Sequence, residues 1–162
     1  MYQDYAIFRD CTKNMITGKR YYNYRTSGEI DPNDTKVYCI PTELDLLDPN
    51  PADINIAEGA FSILGAYLHT DYGRDNPNSL FLANCGSEYR NTILSVCSQY
   101  GLVKINLHLW ADSEIPIGKF QKLYKSIKDR LLIEHCYVYY NTKAEDFGQR
   151  AENISVKRVI LK

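Results

Sequence analysis

The feature that most constrains this chain is the run from Ser79 to Tyr140, where short apolar stretches alternate with segments of helical periodicity. Ser79-Leu80-Phe81-Leu82-Ala83 is a short, continuously apolar strand, as expected of one covered on both faces. Tyr89, Ile93, Val96, Cys97 and Tyr100 then repeat at helical spacing up to Gly101, a residue suited to a helix C-terminus. Leu102 to Trp110 reads as the next strand. Asp112-Ser113 can cap a helix opened by Pro116, with a stripe of Ile117, Phe120, Tyr124, Ile127 and Leu131 running to about Ile133. His135 to Tyr140 is again a strand. Strand, helix, strand, helix, strand with short connections predicts a parallel, right-handed βαβαβ unit.

The flanks add strands, with the N-terminal hairpin and the last strand expected to extend that sheet on its edges. Tyr5 to Phe8 and Arg20 to Arg25 predict an N-terminal hairpin, Lys36 to Ile40 a third strand stopped by Pro41, and Ser155 to Leu161 a last one. Thr42 to Asp53, acidic and carrying Pro49 and Pro51, reads as a loop or short turn. Asn55 with Glu58 resembles a capping pair for a helix whose stripe is Phe61, Leu64, Tyr67 and Leu68, while Gly59, Ala60, Gly65 and Ala66 leave it thin enough to lie close on a sheet. The expected fold is α/β, a mixed β-sheet with a Rossmann-like βαβαβ second half and an added N-terminal β-hairpin. A chain of 162 residues predicts a single α/β domain over residues 1–162.

Composition removes several classes of function. Nineteen basic against twenty acidic residues provide no field to draw the chain onto nucleic acid or an anionic membrane. Arg20, Tyr22 and Tyr24 share one face of a strand and Tyr21 shares the other with Lys19 and Arg25, so no purely aromatic face emerges. Lys119, Lys122, Lys125 and Lys128 drift around their helix and read as a solvated face, so nucleic-acid binding is not expected. Apolar stretches such as Ala60 to Leu68 stop well short of the roughly 20 residues of a membrane span. The Met-Tyr-Gln-Asp-Tyr start lacks the pattern of a secretory signal, so a cytoplasmic location is expected. Cys11, Cys39, Cys85, Cys97 and Cys136 are odd in number with no C-x-x-C pair, which argues against a disulfide framework and a zinc site. The acidic groups Glu43, Asp45 and Asp48, Asp71 and Asp75, and Asp112 and Glu114 have no metal-ligand spacing, so neither a metal nor a cofactor is expected.

In an open α/β sheet, ligands bind beyond the carboxyl ends of the parallel strands, where helix N-termini and unpaired N–H groups converge. That edge predicts a ligand-binding set of Asn84, Gly86 and Ser87 after one strand, Asp112 and Glu114 after the next, and Asn141 after the third. Asn84-Cys85-Gly86-Ser87 suits a phosphate or carboxylate, although it lacks the further glycines of a dinucleotide fingerprint; an ordinary capped turn is the competing explanation. Cys85, expected at a helix N-terminus, is the candidate nucleophile, and His69, in the loop after the first predicted helix, its candidate base. A packed thiol and a surface histidine are the plainer alternative. His108 lies within a strand and His135 starts one.

The stretch from Ser79 to Glu114 resembles nucleotide-handling Rossmann-like domains such as the nucleoside deoxyribosyltransferases and TIR-like folds, in which a short apolar strand, a small polar turn and a downstream acidic residue meet. The resemblance implies a nucleotide-like ligand at that turn.

Fourteen tyrosines and near-neutral charge favour a non-enzymatic accessory protein that binds a protein partner or a small anionic ligand. Such a size and the want of a familiar motif suit a virus or mobile element. The second expectation is an enzyme or sensor acting on a nucleotide-like anion at the Cys85 to Ser87 turn, and the third a cysteine-dependent hydrolase.

Overall fold

A computed structural model describes residues 5–9, 21–25, 37–40, 44–72, 78–86 and 88–162. The chain forms two compact units, Met1–Asp34 and Thr35–Lys162. In the first, β1 (Tyr5–Arg9) and β2 (Tyr21–Arg25) pair antiparallel as the expected hairpin, with Tyr5 opposite Arg25 and Arg9 opposite Tyr21. They make a two-stranded sheet of their own rather than extending the main sheet as expected, because they pair only with each other, while the last strand (Val156–Leu161) alone extends it at the C-terminal edge.

The second unit carries β3 (Tyr38–Ile40), β4 (Ala52–Ala57), α1 (Ala60–His69), β5 (Ser79–Ala83), α2 (Tyr89–Tyr100), β6 (Lys104–Ala111), α3 (Ile117–Ile127), β7 (Leu132–Asn141) and β8 (Val156–Leu161). Its six-stranded sheet has the order β3-β5-β4-β6-β7-β8. The strands β5, β4, β6 and β7 are mutually parallel, and β3 and β8 close the two edges antiparallel. The mixed α/β class and the strand-helix alternation of the later half are as expected.

The largest departure is β4. Its six residues are all buried between β5 and β6 in the middle of the sheet, where a loop and a helix cap are predicted. Ile54 and Ile56 point to one face and Asp53 and Asn55 to the other, the period of a strand. The expected cap does not form, because Asn55 belongs to the strand and α1 starts only after Gly59.

Chain direction explains the layers. The step from β4 to β5 moves one way along the sheet and the step from β5 to β6 goes back across β4, so right-handed crossovers put α1 on one face and α2 and α3 on the other. The first core accordingly joins Ile54, Ile56, Leu80, Leu82, Leu107, Leu109 and Val138 to Ile93 and Val96 of α2 and Phe120 and Ile127 of α3. The second joins Phe81, Trp110 and Tyr139 to Ile63 and Ala66 of α1 and to Phe147 from the loop after β7.

In α1 the buried residues are Ser62, Ile63, Gly65 and Ala66, while Phe61 and Leu68 of the expected stripe stand exposed. The small residues permit close packing: a Cβ at Gly65 would overlap the carbonyl of Phe147. Elsewhere boundaries move slightly. Gly101 ends α2 in a left-handed conformation (φ 67°), as expected. The cap of α3 is Pro116 rather than Asp112-Ser113, and Leu132 and Ile133 belong to β7. No helix among the described residues is long and apolar enough to cross a membrane.

Candidate functional site

The chain leaves the neighbouring strands β4 and β6 toward opposite faces, so their carboxyl ends border a topological switch point, the usual ligand crevice of such sheets. Glu58 follows β4, Asn84-Cys85-Gly86 follows β5 and Asp112 follows β6. The β5 turn is tied to the β4 end by backbone bonds from Asn84 N–H to the Ala57 carbonyl and from Cys85 N–H to the Glu58 carbonyl, both 3.0 Å. Cys85 (φ 47°) and Gly86 (φ 87°) are successively left-handed. Beside Gly86, the position a Cβ would take faces open space.

A cleft of about 600 Å³ opens there, with Glu58, Asn84 and Gly86 on the strand side, Tyr89 of α2, and Lys119 and Lys122 of α3. The two α3 lysines come one turn apart, so both reach this wall while remaining exposed, as are Lys125 and Lys128. Tyr89 is only 7% exposed. Its ring meets Phe120 edge-on at 5.7 Å, the Lys119 ammonium lies 6.0 Å from its centroid, and its hydroxyl is buried without a hydrogen-bond partner. Burial, then the charges of Glu58 and Asp112, push the phenol far above its ordinary range, so it stays an O–H donor.

At the end of β6, burial and then the carboxylates of Glu58, Asp146, Glu145 and Glu114 raise Asp112 to about 6. One of its oxygens, Oδ1, is buried without a hydrogen-bond partner. The charged residues lining the cleft are thus Lys119, Lys122 and Arg90 as cations and Glu58 and Glu88 as carboxylates.

Of the predicted ligand residues, Asn84 and Gly86 line the cleft, whereas Asp112 does not line it and is felt there through its charge at Tyr89. Glu114 is exposed, and its charge is felt at Asp112. Ser87 lies outside the described residues. Asn141 is buried and committed to the chain itself: its amide donates to the carbonyls of Asp146 and Asn153 (2.7 and 2.9 Å), and its oxygen accepts from the N–H groups of Lys143 and Ser155. It shapes the loop that delivers Phe147.

The candidate catalytic pair does not converge. Cys85 stands at the carboxyl edge, whereas α1 runs back across the sheet and leaves His69 exposed at its far end, toward the start of β5. Cys85 also precedes the first turn of α2, which opens at Tyr89. Burial pushes its thiol up, against a smaller lowering from a hydrogen bond with the Tyr38 backbone. That is the direction of a packed thiol rather than a nucleophile.

Sequence reasoning missed Glu58, Tyr89, Lys119 and Lys122 as cleft residues, and it missed a polar row on the opposite sheet face. There the Asn106 amide donates to Asp53 Oδ1 (2.8 Å), His108 Nε2 lies 3.6 Å from the same oxygen, and His108 Nδ1 is 2.8 Å from the Tyr139 hydroxyl. Trp110 Nε1–H donates to Asn55 Oδ1 at 3.1 Å. The alternation of Asp53 and Asn55 with Ile54 and Ile56 was the available signal. Among the described residues, no three His, Cys, Asp or Glu side chains group to hold a metal ion.

Compared with protein-family models, curated proteins and solved structures, the chain matches none.

Proposed function

We propose that this chain is a non-enzymatic binding protein that takes a small phosphorylated, hydroxyl-bearing ligand of nucleotide type in the cleft at the ends of β4, β5 and β6. One observation carries the reading: Lys119 and Lys122 of α3 line the same cleft as Glu58 and the nine-tenths buried Tyr89. Lysine ammonium groups suit phosphate as point charges, and a carboxylate accepts hydrogen bonds from sugar hydroxyls. The turn supports the same class, because at Gly86 a ligand can approach the backbone. A binding role rather than catalysis is supported by the separation of Cys85 from His69 and by the upward push on the Cys85 thiol.

A thermal-shift screen over nucleotides, cyclic nucleotides and dinucleotides tests this, since a ligand at 100 times its dissociation constant adds about 2.7 kcal/mol of stability. The expected result is a stabilising ligand whose affinity falls about tenfold or more in the Lys119→Ala/Lys122→Ala double variant, a loss of about 1.4 kcal/mol. Absence of stabilisation by any of the three classes would overturn the reading.

A further inference from the structure

The edge strand β8 presents two exposed cations and a row of outward backbone groups. Thr142 N–H donates to the Ser155 carbonyl at 2.8 Å, one step beyond the pair of Asn141 and Val156 in the antiparallel β7–β8 register. Bonding alternates along such a ladder. Lys157, Val159 and Leu161 therefore turn their N–H and C=O groups toward β7, and Val156, Arg158 and Ile160 turn theirs outward. Among the described residues no backbone bond reaches those outward groups. From Ile154 to Lys162 the cations are Lys157, Arg158 and Lys162, with no acidic side chain between them. Arg158 stands opposite Tyr139 and shares its face of the sheet, whereas Lys157, opposite Tyr140, points to the other. The exposed Arg158 guanidinium lies 5.2 Å from the centroid of the Tyr137 ring and 5.9 Å from that of Tyr72. Neither cation meets a carboxylate among the described residues, whose ion pairs are Lys104 with Glu134 and His108 with Asp53. Two residues on from Arg158, Ile160 is 53% exposed.

We propose that β8 takes up an acidic peptide segment as a further strand of the sheet, its backbone pairing with Val156, Arg158 and Ile160 and its carboxylates meeting Arg158 and Lys157. Strand addition satisfies the outward N–H and C=O groups of any extended partner, and the side chains select which partner stays. The two tyrosine rings hold the guanidinium, so its planar fork is ordered before a carboxylate arrives and less freedom is lost on pairing. Because the two cations are consecutive, they stand on opposite faces and match consecutive acidic residues, with apolar residues beyond them to cover Val159 and Ile160. A second copy of the chain is a poorer occupant, since antiparallel pairing of two β8 strands brings Lys157 and Arg158 of each beside those of the other. No β8 residue lines the cleft, so this surface stands or falls independently of anion binding there.

The probe is the blocked peptide acetyl-Thr-Val-Glu-Glu-Val-Thr-amide, whose symmetric sequence suits the edge in either chain direction. It is titrated into the full chain and followed by amide NMR and hydrogen exchange. The expected result is a saturable shift of the Arg158 and Ile160 amides, with their exchange slowed about tenfold or more at saturation. Affinity should fall about tenfold or more in the Lys157→Gln/Arg158→Gln double variant, and likewise for the analogue with lysine in place of both glutamates. Should the double variant fail to fold, the lysine analogue on the wild type decides, because it needs no substitution. Equal affinity of the two peptides overturns the charge selection, and shifts without slowed exchange overturn the strand addition. No response at millimolar peptide overturns the proposal outright, while leaving the cleft untouched. Slow β8 exchange without peptide, in a chain that sediments as a dimer, also overturns it and assigns the edge to a second copy.

Discussion

The Tyr139 hydroxyl, 1% exposed as a residue, is satisfied by a single described partner, His108 Nδ1. Removing it in Tyr139→Phe leaves a buried imidazole nitrogen unpaired, so the variant should lose about 1–3 kcal/mol of unfolding free energy in urea titrations. Unchanged stability would mean that the pair contributes nothing. Asp112 makes the opposite case. Its folded value of about 6 stands above the ordinary 3.8. The native state therefore binds the proton more tightly than the unfolded chain, and stability from this group falls as pH rises between those values. Asp112→Asn should accordingly raise the melting temperature above pH 6, with the advantage fading below about pH 4. At this scale the sequence was partly legible. The edge position of Asp112 was readable from its place after a strand, but its neighbours Glu145 and Asp146 arrive from a distant loop. Asn141 shows the converse, since its residue type suits a ligand site while its position makes it the anchor of that loop.

Among the elements, α1 illustrates why a stripe of large residues can mislead. Its close approach to the loop after β7 requires small residues, so Gly65 and Ala66 go inward and Phe61 and Leu68 remain outside. Gly65→Ala should be severely destabilising, because the overlapping atom is backbone and cannot rotate away. Gly86→Ala makes the matched control. Its Cβ meets nothing, and only the positive φ opposes it, at about 1 kcal/mol. Similar losses in the two variants, measured by denaturant unfolding, would contradict the close packing of α1. The missed strand β4 belongs to this scale as well. Prolines before it and an Asn55-Glu58 spacing inside and after it imitate a loop and a helix start. Its buried polar residues are tolerable only once Asn106 and Trp110 of β6 lie alongside.

For the Thr35–Lys162 unit as a whole, the order β3-β5-β4-β6-β7-β8 puts the strands with a paired neighbour on both sides in the interior and β8 at an edge. Hydrogen exchange should therefore be slowest in β4 and β6 and faster in β8, whose Lys157, Arg158 and Ile160 are exposed. Amides of β8 as protected as those of β6 would show that its edge is covered in solution. The same order brings Glu58, Asn84 and Asp112, far apart in the chain, to one crevice.

The sequence by itself determined the α/β class, the alternation from Ser79 to Tyr140 and the edge at which Asn84, Gly86 and Asp112 stand, because hydrophobic period and turn chemistry are local properties. Only the tertiary structure decided that β4 is a central strand, that Tyr89, Lys119 and Lys122 wall the cleft, and that His69 ends α1 away from the edge where Cys85 stands. Those outcomes depend on which segments become neighbours, and the partners that make a buried Asn55 or an unpaired Tyr89 meaningful come from residues remote in sequence.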